Sequence, residues 1–235
     1  MSVFIRRCMR ALVRMFPPRA QHAIAKWYFF AQIRKGEFRS DEAEWKHLSQ
    51  WLKPGDWCID VGANVGRYSL RMSELVGPTG QVIAFEPLTH TFEMLTHFVD
   101  KGGYRNITLF NAAASEQSCL IHIAVDLFPV SKNHIFDTST GSRVSSQASE
   151  RSDSKLGLSI DSLDLPHRVA LVKMDVEGHE LAVCKGMRLL IQRDWPVLIV
   201  EDHDTGTGVP EYLQALGYVG RRTTPDGRNL VFTRP

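Results

Sequence analysis

The chain of 235 residues has few cysteines and no long apolar run. No two of its four cysteines have the spacing of a metal-ligand or redox pair: they are Cys8, Cys58, Cys119 and Cys184. This pattern argues against a zinc site and a disulfide framework, and it indicates a reducing compartment. No apolar run reaches the length of a membrane span. With 43% hydrophobic residues, the sequence predicts one globular domain of a cytoplasmic protein.

Acidic residues are absent from the first 36 positions, which carry eight basic side chains. The rest of the chain contains the other 20 of the 28 basic residues and all 26 acidic residues, so it carries a net negative charge. This charge argues against nucleic acid as a partner. Residues 3–16 have the pattern of a basic amphipathic helix, too rich in arginine for a signal peptide. Such a helix either contacts an anionic membrane surface peripherally or packs on the domain as a lid, and we favour the second interpretation.

From Asp56 onwards, short apolar strands alternate with helices. The predicted strands are Trp57–Val61, Gln81–Phe85, Ile107–Phe110, Ala170–Met174 and Val197–Val200. One predicted helix ends at about Val76, and two others span Leu88–Asp100 and Glu180–Gln192. This alternation predicts an α/β fold with a mostly parallel sheet covered on both faces. A turn signal at 225–227 predicts a C-terminal antiparallel hairpin of Tyr218–Arg222 and Leu230–Thr233.

Two regions lie outside this repeating pattern. Residues 1–53 are predicted to form a helical extension, and residues 54–235 are predicted to form the main domain. The third helix of the extension is predicted from about Asp41 to Leu52, with Ser40 as its N-cap. An insertion at about 119–158 contains a serine-rich segment, 137–155, with too few apolar groups to order itself. This segment is either a surface loop or a lid over the substrate, and the sequence favours neither.

The strongest local signal is the segment Asp60-Val-Gly-Ala-Asn-Val-Gly66, between a predicted strand and a predicted helix. Gly62 and Gly66 allow a tight turn and a close approach of the backbone to a ligand. The free N–H groups of the following helix suit a nucleotide or an amino-acid carboxylate. A plain strand–helix turn and a dinucleotide site are the alternatives. The dinucleotide fingerprint lacks its middle glycine here, because Ala63-Asn64 follows Gly62.

Two acidic signals follow later strands. Glu86 comes directly after the second strand, where a carboxylate accepts hydrogen bonds from ribose hydroxyls, so it indicates a nucleoside without identifying the cofactor. Residues 173–180, Lys-Met-Asp-Val-Glu-Gly-His-Glu, follow the fourth strand, at an edge where open α/β sheets bind ligands. We expect Asp175 and Glu177 to point into this crevice, whereas Glu180 favours the helix N-terminus.

In this order, the motifs closely resemble the FkbM family of S-adenosylmethionine-dependent methyltransferases. The resemblance covers about Trp57 to Glu201. Its motifs are Ile59-Asp60-Val61-Gly62-Ala63-Asn64-Val65-Gly66, Ala84-Phe85-Glu86-Pro87, Asn111-Ala112-Ala113, Ile160-Asp161-Ser162-Leu163, Asp175-Val176-Glu177-Gly178-His179-Glu180 and Val200-Glu201. The resemblance implies a class I methyltransferase Rossmann-like fold with a seven-stranded sheet. It also implies S-adenosylmethionine as cofactor and O-methylation of a hydroxyl on a sugar, a glycan or a natural product.

The resemblance assigns the cofactor to residues at the ends of the first three strands. Glu86 is expected to hold the ribose hydroxyls, and Asp60 to anchor the turn or to reach the amino group of the methionine portion. The other expected cofactor-binding residues are Gly62, Ala63, Asn64 and Gly66 in the turn, Tyr68 and Ser69 at the methionine end, and Asn111 and Ala112 beside the adenine.

Methyl transfer to an alcohol needs a group that removes the proton during attack. The candidate catalytic residues are Asp175, Glu177 and His203, which follows the fifth strand, with His179 as a further candidate base. The nearby acidic residues could also ligate a divalent metal through oxygen. No spacing among them is diagnostic, so we predict no metal.

Two rival functions are consistent with the same fold. An NAD-dependent sugar-modifying enzyme would share the sheet and the acid after its second strand, but the missing middle glycine argues against it. A non-catalytic adaptor would keep the fold as an interaction module, and the intact cofactor motifs argue against that.

Overall fold

The computed structural model describes residues 13, 15–124, 143–145, 152–201, 207–223 and 229–235. The helices of this part are α1 (Pro18–Arg34), α2 (Ala43–Trp51), α3 (Arg67–Val76), α4 (Thr89–Gly102), α5 (Glu180–Gly186), α6 (Arg188–Asp194) and α7 (Val209–Ala215), with a 3-10 turn at Ile160–Leu163. The strands are β1 (Trp57–Val61), β2 (Gln81–Phe85), β3 (Ile107–Phe110), β4 (Ala113–Ala114), β5 (Cys119–Ala124), β6 (Arg143–Ser145), β7 (Ser152–Leu158), β8 (Val169–Met174), β9 (Val197–Glu201), β10 (Val219–Arg222) and β11 (Asn229–Thr233).

The large sheet has seven strands in the order β10-β11-β9-β8-β1-β2-β3. Strands β9, β8, β1, β2 and β3 are parallel to one another, and β11 runs antiparallel to both β9 and β10. Every residue of β8 is buried, as expected for a strand in a sheet covered on both faces. The predicted seven-stranded sheet with an antiparallel C-terminal hairpin is confirmed, and the carboxyl ends of its parallel strands meet at one edge.

Helices cover both faces of this sheet. On one face, Leu48 of α2 and Met72 of α3 pack against apolar side chains of β1, β8 and β9. On the other face, Val183 of α5, Ile191 of α6 and Leu213 of α7 pack against a second set from the same strands. In the part of the chain that the structure describes, no helix is both long and apolar enough to cross a membrane.

A second sheet of four strands, in the order β4-β7-β5-β6, contains the described part of the insertion. The interpretation of the serine-rich segment 137–155 as a loop is wrong for residues 143–145 and 152–155, which form strands. These residues pair with β5 along its length. Ile121 and Ile123 of β5 are buried, so β5 supplies buried apolar side chains to this sheet.

Two predicted helix boundaries are also wrong. Ser40 is not the N-cap of α2: Glu42 occupies that position, and the Ser40 hydroxyl oxygen accepts the Glu42 N–H at 3.3 Å. The helix predicted over Glu180–Gln192 is broken at Met187 into α5 and α6. The carboxylate of Asp161 accepts the N–H groups of Leu189 and Leu190 at 2.9 Å each, so it caps α6 from a distant turn.

The helices before β1 are held to the rest of the chain by specific contacts. The Arg67 guanidinium lies 4.5 Å from the centre of the Phe38 ring and donates to the Arg39 carbonyl at 2.8 Å. The buried carboxylate of Glu44 in α2 accepts a hydrogen bond from the Thr223 hydroxyl and another from the Asn229 side-chain amide at 3.2 Å. The region before β1 is therefore tied to the C-terminal hairpin.

Candidate active site

The glycine-rich turn after β1 is packed against the end of β8. Gly62 and Gly66 have φ values of +78° and +91°, which L side chains rarely adopt. The N–H groups of Gly62 and Ala63 donate to the Phe85 carbonyl at 3.0 and 2.9 Å. A Cβ on Gly62 would lie 1.9 Å from the carbonyl oxygen of Asp175. Only glycine therefore fits here, and the turn and the acidic segment after β8 form one site.

Glu86 follows β2 and points back at this turn. One of its carboxylate oxygens accepts the Asn64 N–H at 2.8 Å, and the other accepts the Leu88 N–H at 2.9 Å. Burial raises the pKa of Glu86 to about 7, although both of these backbone hydrogen bonds oppose the rise. Each oxygen retains lone pairs for further donors, so the carboxylate can bridge two neighbouring hydroxyls.

Asp60 is fully buried at the centre of the site, beside the turn. Its Oδ2 atom accepts the Ser69 hydroxyl at 2.5 Å. Its Oδ1 atom is also buried and has no hydrogen-bond partner among the residues that the structure describes. Burial raises the pKa of Asp60, while Lys173 and Ser69 lower it. A buried acceptor of this kind costs about 1–3 kcal/mol until a donor satisfies it, and a ligand cation would do so.

Three ionisable side chains meet at the ends of β8 and β9: those of Lys173, Asp175 and Glu201. The Lys173 ammonium is buried and lies 2.9 Å from Oδ2 of Asp175. Burial alone would lower the pKa of Lys173, but the carboxylates of Asp175, Asp60 and Glu42 raise it. Burial and the hydrogen-bonded carboxylate of Asp175 raise the pKa of Glu201 to about 9. This hydrogen bond joins the carboxyl groups of Glu201 and Asp175 at the ends of the two strands.

Tyr68 lies on the other side of Lys173. The ammonium is 5.0 Å from the centre of the Tyr68 ring, and the Tyr68 hydroxyl donates to Oε2 of Glu42 at 2.5 Å. Glu42 precedes α2, so a residue of the N-terminal region reaches the charged centre. Tyr68 and Ser69, both predicted at the methionine end of the cofactor, thus contact Glu42 and Asp60 respectively.

The side chains of residues 177–180 lie in different environments. Glu177 is partly buried and adopts φ +51° in the turn after Asp175. His179 does not join the carboxylates, because its Nε2 atom lies 3.0 Å from the Ser115 hydroxyl, and burial lowers its pKa. Oε1 of the buried Glu180 accepts the N–H groups of Val176 and Gly178, at 3.4 and 3.1 Å, so this side chain orders the turn before α5.

The remaining predicted site residues lie past β3 or outside the described part of the chain. The Asn111 side-chain amide donates to the carbonyls of Glu86 and Pro87, at 2.9 and 3.1 Å, and fixes the loop after β2. Ala112 is buried beside it. His203 lies in 202–206, outside the described residues, as does nearly all of the predicted helix 3–16. Among the described residues, no group of three or more His, Cys, Asp and Glu side chains could hold a metal.

The fold and this site define a class I methyltransferase. The family described as "Methyltransferase FkbM domain" matches residues 60–220, and the chain belongs to this family. Its cofactor is S-adenosylmethionine. The glycine turn, the Glu86 carboxylate and the buried Oδ1 atom of Asp60 fit this cofactor, which offers ribose hydroxyls and an ammonium as donors.

The individual relatives share less than a third of their residues with this chain over the matched regions. The chain is 28% identical to the hexuronic acid methyltransferase AglP of Haloferax volcanii, over 71% of this chain and 64% of that protein. It is 24% identical to the methyltransferase sdnD of Sordaria araneosa, over 58% of this chain and 62% of that one. This chain thus spans less than two thirds of either curated relative. The crystal structure of methyltransferase FkbM from Methylobacillus flagellatus has the same fold, with a TM-score of 0.53 and 17% identity over 80% of this chain and 50% of that one.

Two charged residues of the site were not assigned a role from the sequence. Lys173 did leave a signal, because a single lysine in the otherwise apolar strand β8 must be buried with a partner. Glu42 gave no signal in the sequence. Its contact with Tyr68 joins two residues 26 positions apart in different elements, and a contact of this kind produces no periodic pattern.

Proposed function

We propose that the protein transfers the methyl group of S-adenosylmethionine to a hydroxyl of a sugar, a glycan or a natural product. The observation that carries this proposal is the position of Asp175. Its backbone touches the glycine turn at Gly62, and its side chain lies between the ammonium of Lys173 and the carboxyl of Glu201. A carboxylate is thereby presented beside the cofactor turn, where an acceptor hydroxyl must lose its proton.

The cofactor, when bound, supplies a methyl group on a sulfonium cation. In the proposal, Glu86 holds the ribose hydroxyls, and Oδ1 of Asp60 accepts the ammonium of the methionine portion. Gly62, Ala63 and Asn64 line the cofactor, with Gly66 and Ser69 behind them. Because the displacement is in line, much of the acceleration comes from holding the two reactants in position.

Asp175 is the proposed proton acceptor, and Glu177 borders the acceptor hydroxyl on the exposed side of the turn. His203 remains a predicted catalytic candidate, since it follows β9, the strand that carries Glu201. The named activity of one relative, methylation of a hexuronic acid, supports a sugar acid among the acceptors.

The test is a transfer assay with S-adenosylmethionine labelled in its methyl group. The acceptor panel contains a methyl glucuronide, the matching neutral glucoside and an alcohol natural product. We expect label in a sugar or alcohol as an ether that survives mild alkali. Label that alkali releases as methanol would be a carboxyl ester, and it would contradict hydroxyl methylation.

A binding measurement separates the main rival from this proposal. S-Adenosylhomocysteine should raise the melting temperature of the protein, since a ligand that binds only the folded state stabilises it. NAD should not. Stabilisation by NAD alone would favour a dehydrogenase-type enzyme, whereas stabilisation by S-adenosylhomocysteine without transfer to any acceptor would favour an adaptor.

A further inference from the structure

We propose that Lys173 is a positioning residue, which fixes the Asp175 carboxylate as an anion facing the acceptor hydroxyl. The inference deepens the proposed function and rests on it, because it assigns how the proposed proton acceptor is kept ready. It concerns a residue of β8 whose side chain is buried behind the site rather than exposed to an acceptor.

The geometry on one side of Lys173 is that of a buried ion pair. Its side chain is 5% exposed, and its ammonium lies 2.9 Å from Oδ2 of Asp175. A buried ammonium without a counter-ion is too costly to persist in its charged form. The close carboxylate keeps Lys173 charged, and the same contact restricts Asp175 to one orientation.

On its other side, Lys173 is held by an aromatic ring. The ring of Tyr68 lies against the ammonium, and the Tyr68 hydroxyl is fixed by the Glu42 carboxylate. This arrangement leaves the ammonium little freedom to turn away from Asp175. The N-terminal region thus contributes to the position of a group at the end of β8.

Several ionisable groups surround the pair: Asp60 of β1, Tyr68 of α3, Glu201 of β9 and Glu42 before α2, with Glu177 after β8 acting on Glu201. Among these groups in the described part of the chain, four are carboxyl groups, and the ammonium of Lys173 is buried beside them. Without the charge of Lys173, the negative charges of Asp60 and Glu201 would oppose the ionisation of Asp175, and protonation of Asp175 would become more favourable. The acidic cluster would then hold a neutral Asp175, which cannot accept a proton.

The experiment measures the protonation of Asp175 directly and needs no acceptor. Protein labelled with ¹³C in its aspartate side chains is titrated by NMR, and the Asp175 signal is assigned as the one lost in Asp175→Asn. We expect an ionised Asp175 in the wild-type protein near pH 7. In Lys173→Met, the midpoint should rise by about 1–3 pH units, the usual effect of one adjacent opposite charge. Lys173→Arg should restore a low midpoint.

Lys185→Met is the matched control. Lys185 is an exposed lysine of α5, 3.7 Å from Glu116, and its loss should leave the Asp175 midpoint unchanged. A protonated Asp175 near pH 7 in the wild-type protein would overturn the inference, and so would an unchanged midpoint in folded Lys173→Met. If that variant does not fold, the wild-type and Lys173→Arg titrations decide. A shifted midpoint without methyl transfer would retain the effect of Lys173 on the charge of Asp175 and reject the proposed function.

Discussion

Replacing Glu86 by glutamine should weaken cofactor binding while preserving the fold. Each carboxylate oxygen accepts one backbone N–H, from Asn64 and from Leu88, and keeps lone pairs for a ribose hydroxyl. Glutamine retains only one oxygen, and its NH₂ group would meet a backbone N–H in either orientation. Losing one hydrogen bond to a charged acceptor costs about 1.5–3 kcal/mol. The expected result is about a 10- to 150-fold increase in the Kd of the cofactor.

The same carboxylate should make binding depend on pH. Burial raises the pKa of Glu86 to about 7 in the free protein. Ribose hydroxyls donate to the ionised form, so the bound protein has a lower pKa at this position. The Kd therefore decreases as pH rises through about 7 and becomes constant above it, and it increases by up to about tenfold per pH unit below. Glu86→Gln has no carboxyl group, so this dependence disappears.

Calorimetric titration with S-adenosylhomocysteine, from about pH 5.5 to about pH 8.5, measures the Kd on both sides of the raised pKa of Glu86. It tests the loss of affinity in Glu86→Gln and the pH dependence of the wild-type Kd. Glu93→Gln is the matched control, because Glu93 is an exposed glutamate of α4. This helix begins four residues after the end of β2. Its affinity should equal that of the wild type. If Glu86→Gln bound with wild-type affinity throughout this range, Glu86 would not hold the ribose.

Three further outcomes are expected. Asp175→Asn and Glu177→Gln should bind S-adenosylhomocysteine normally and lower turnover by about 10²–10⁴-fold, the usual contribution of a general base; full activity in both would direct attention to the unplaced histidine after β9. Gly62→Ala should destabilise the protein far more than Gly36→Ala in thermal unfolding. Both glycines have positive φ, but only at Gly62 would the Cβ collide with a backbone oxygen, so equal losses would contradict the packing described. The full-length protein should not float with anionic vesicles at low salt if residues 3–16 pack on the domain; flotation would support a membrane contact.

The core of the fold was predictable because its signals are local. The strands Trp57–Val61, Gln81–Phe85 and Ile107–Phe110 are apolar runs between turn residues, and the structure has them at the predicted positions. The second sheet was not predicted, since its serine-rich strands become ordered only by pairing with β5. The break at Met187 likewise depends on Asp161, which is distant in sequence.

The site was predictable where residues follow the ends of strands. Glu86 and Asp175 were identified because they follow strands whose carboxyl ends meet at one edge of the sheet, whereas the role of Asp60 came from the family resemblance. What the sequence could not show is how their charges are balanced. The contact of Lys173 with Asp175 and that of Glu42 with Tyr68 are properties of packing, and neither follows from motif spacing.

The hydrogen bonds of Glu44 have a consequence for any attempt to isolate the catalytic unit. The family match spans 60–220, yet Glu44 precedes it, and Asn229 and Thr223 follow it. A fragment cut at those limits would lose α2, which covers one face of the sheet, and β11, which pairs with both β9 and β10. The strand that carries Glu201 would then become an open edge, prone to pair with other molecules. The smallest soluble fragment of this protein should therefore extend beyond the family match at both ends.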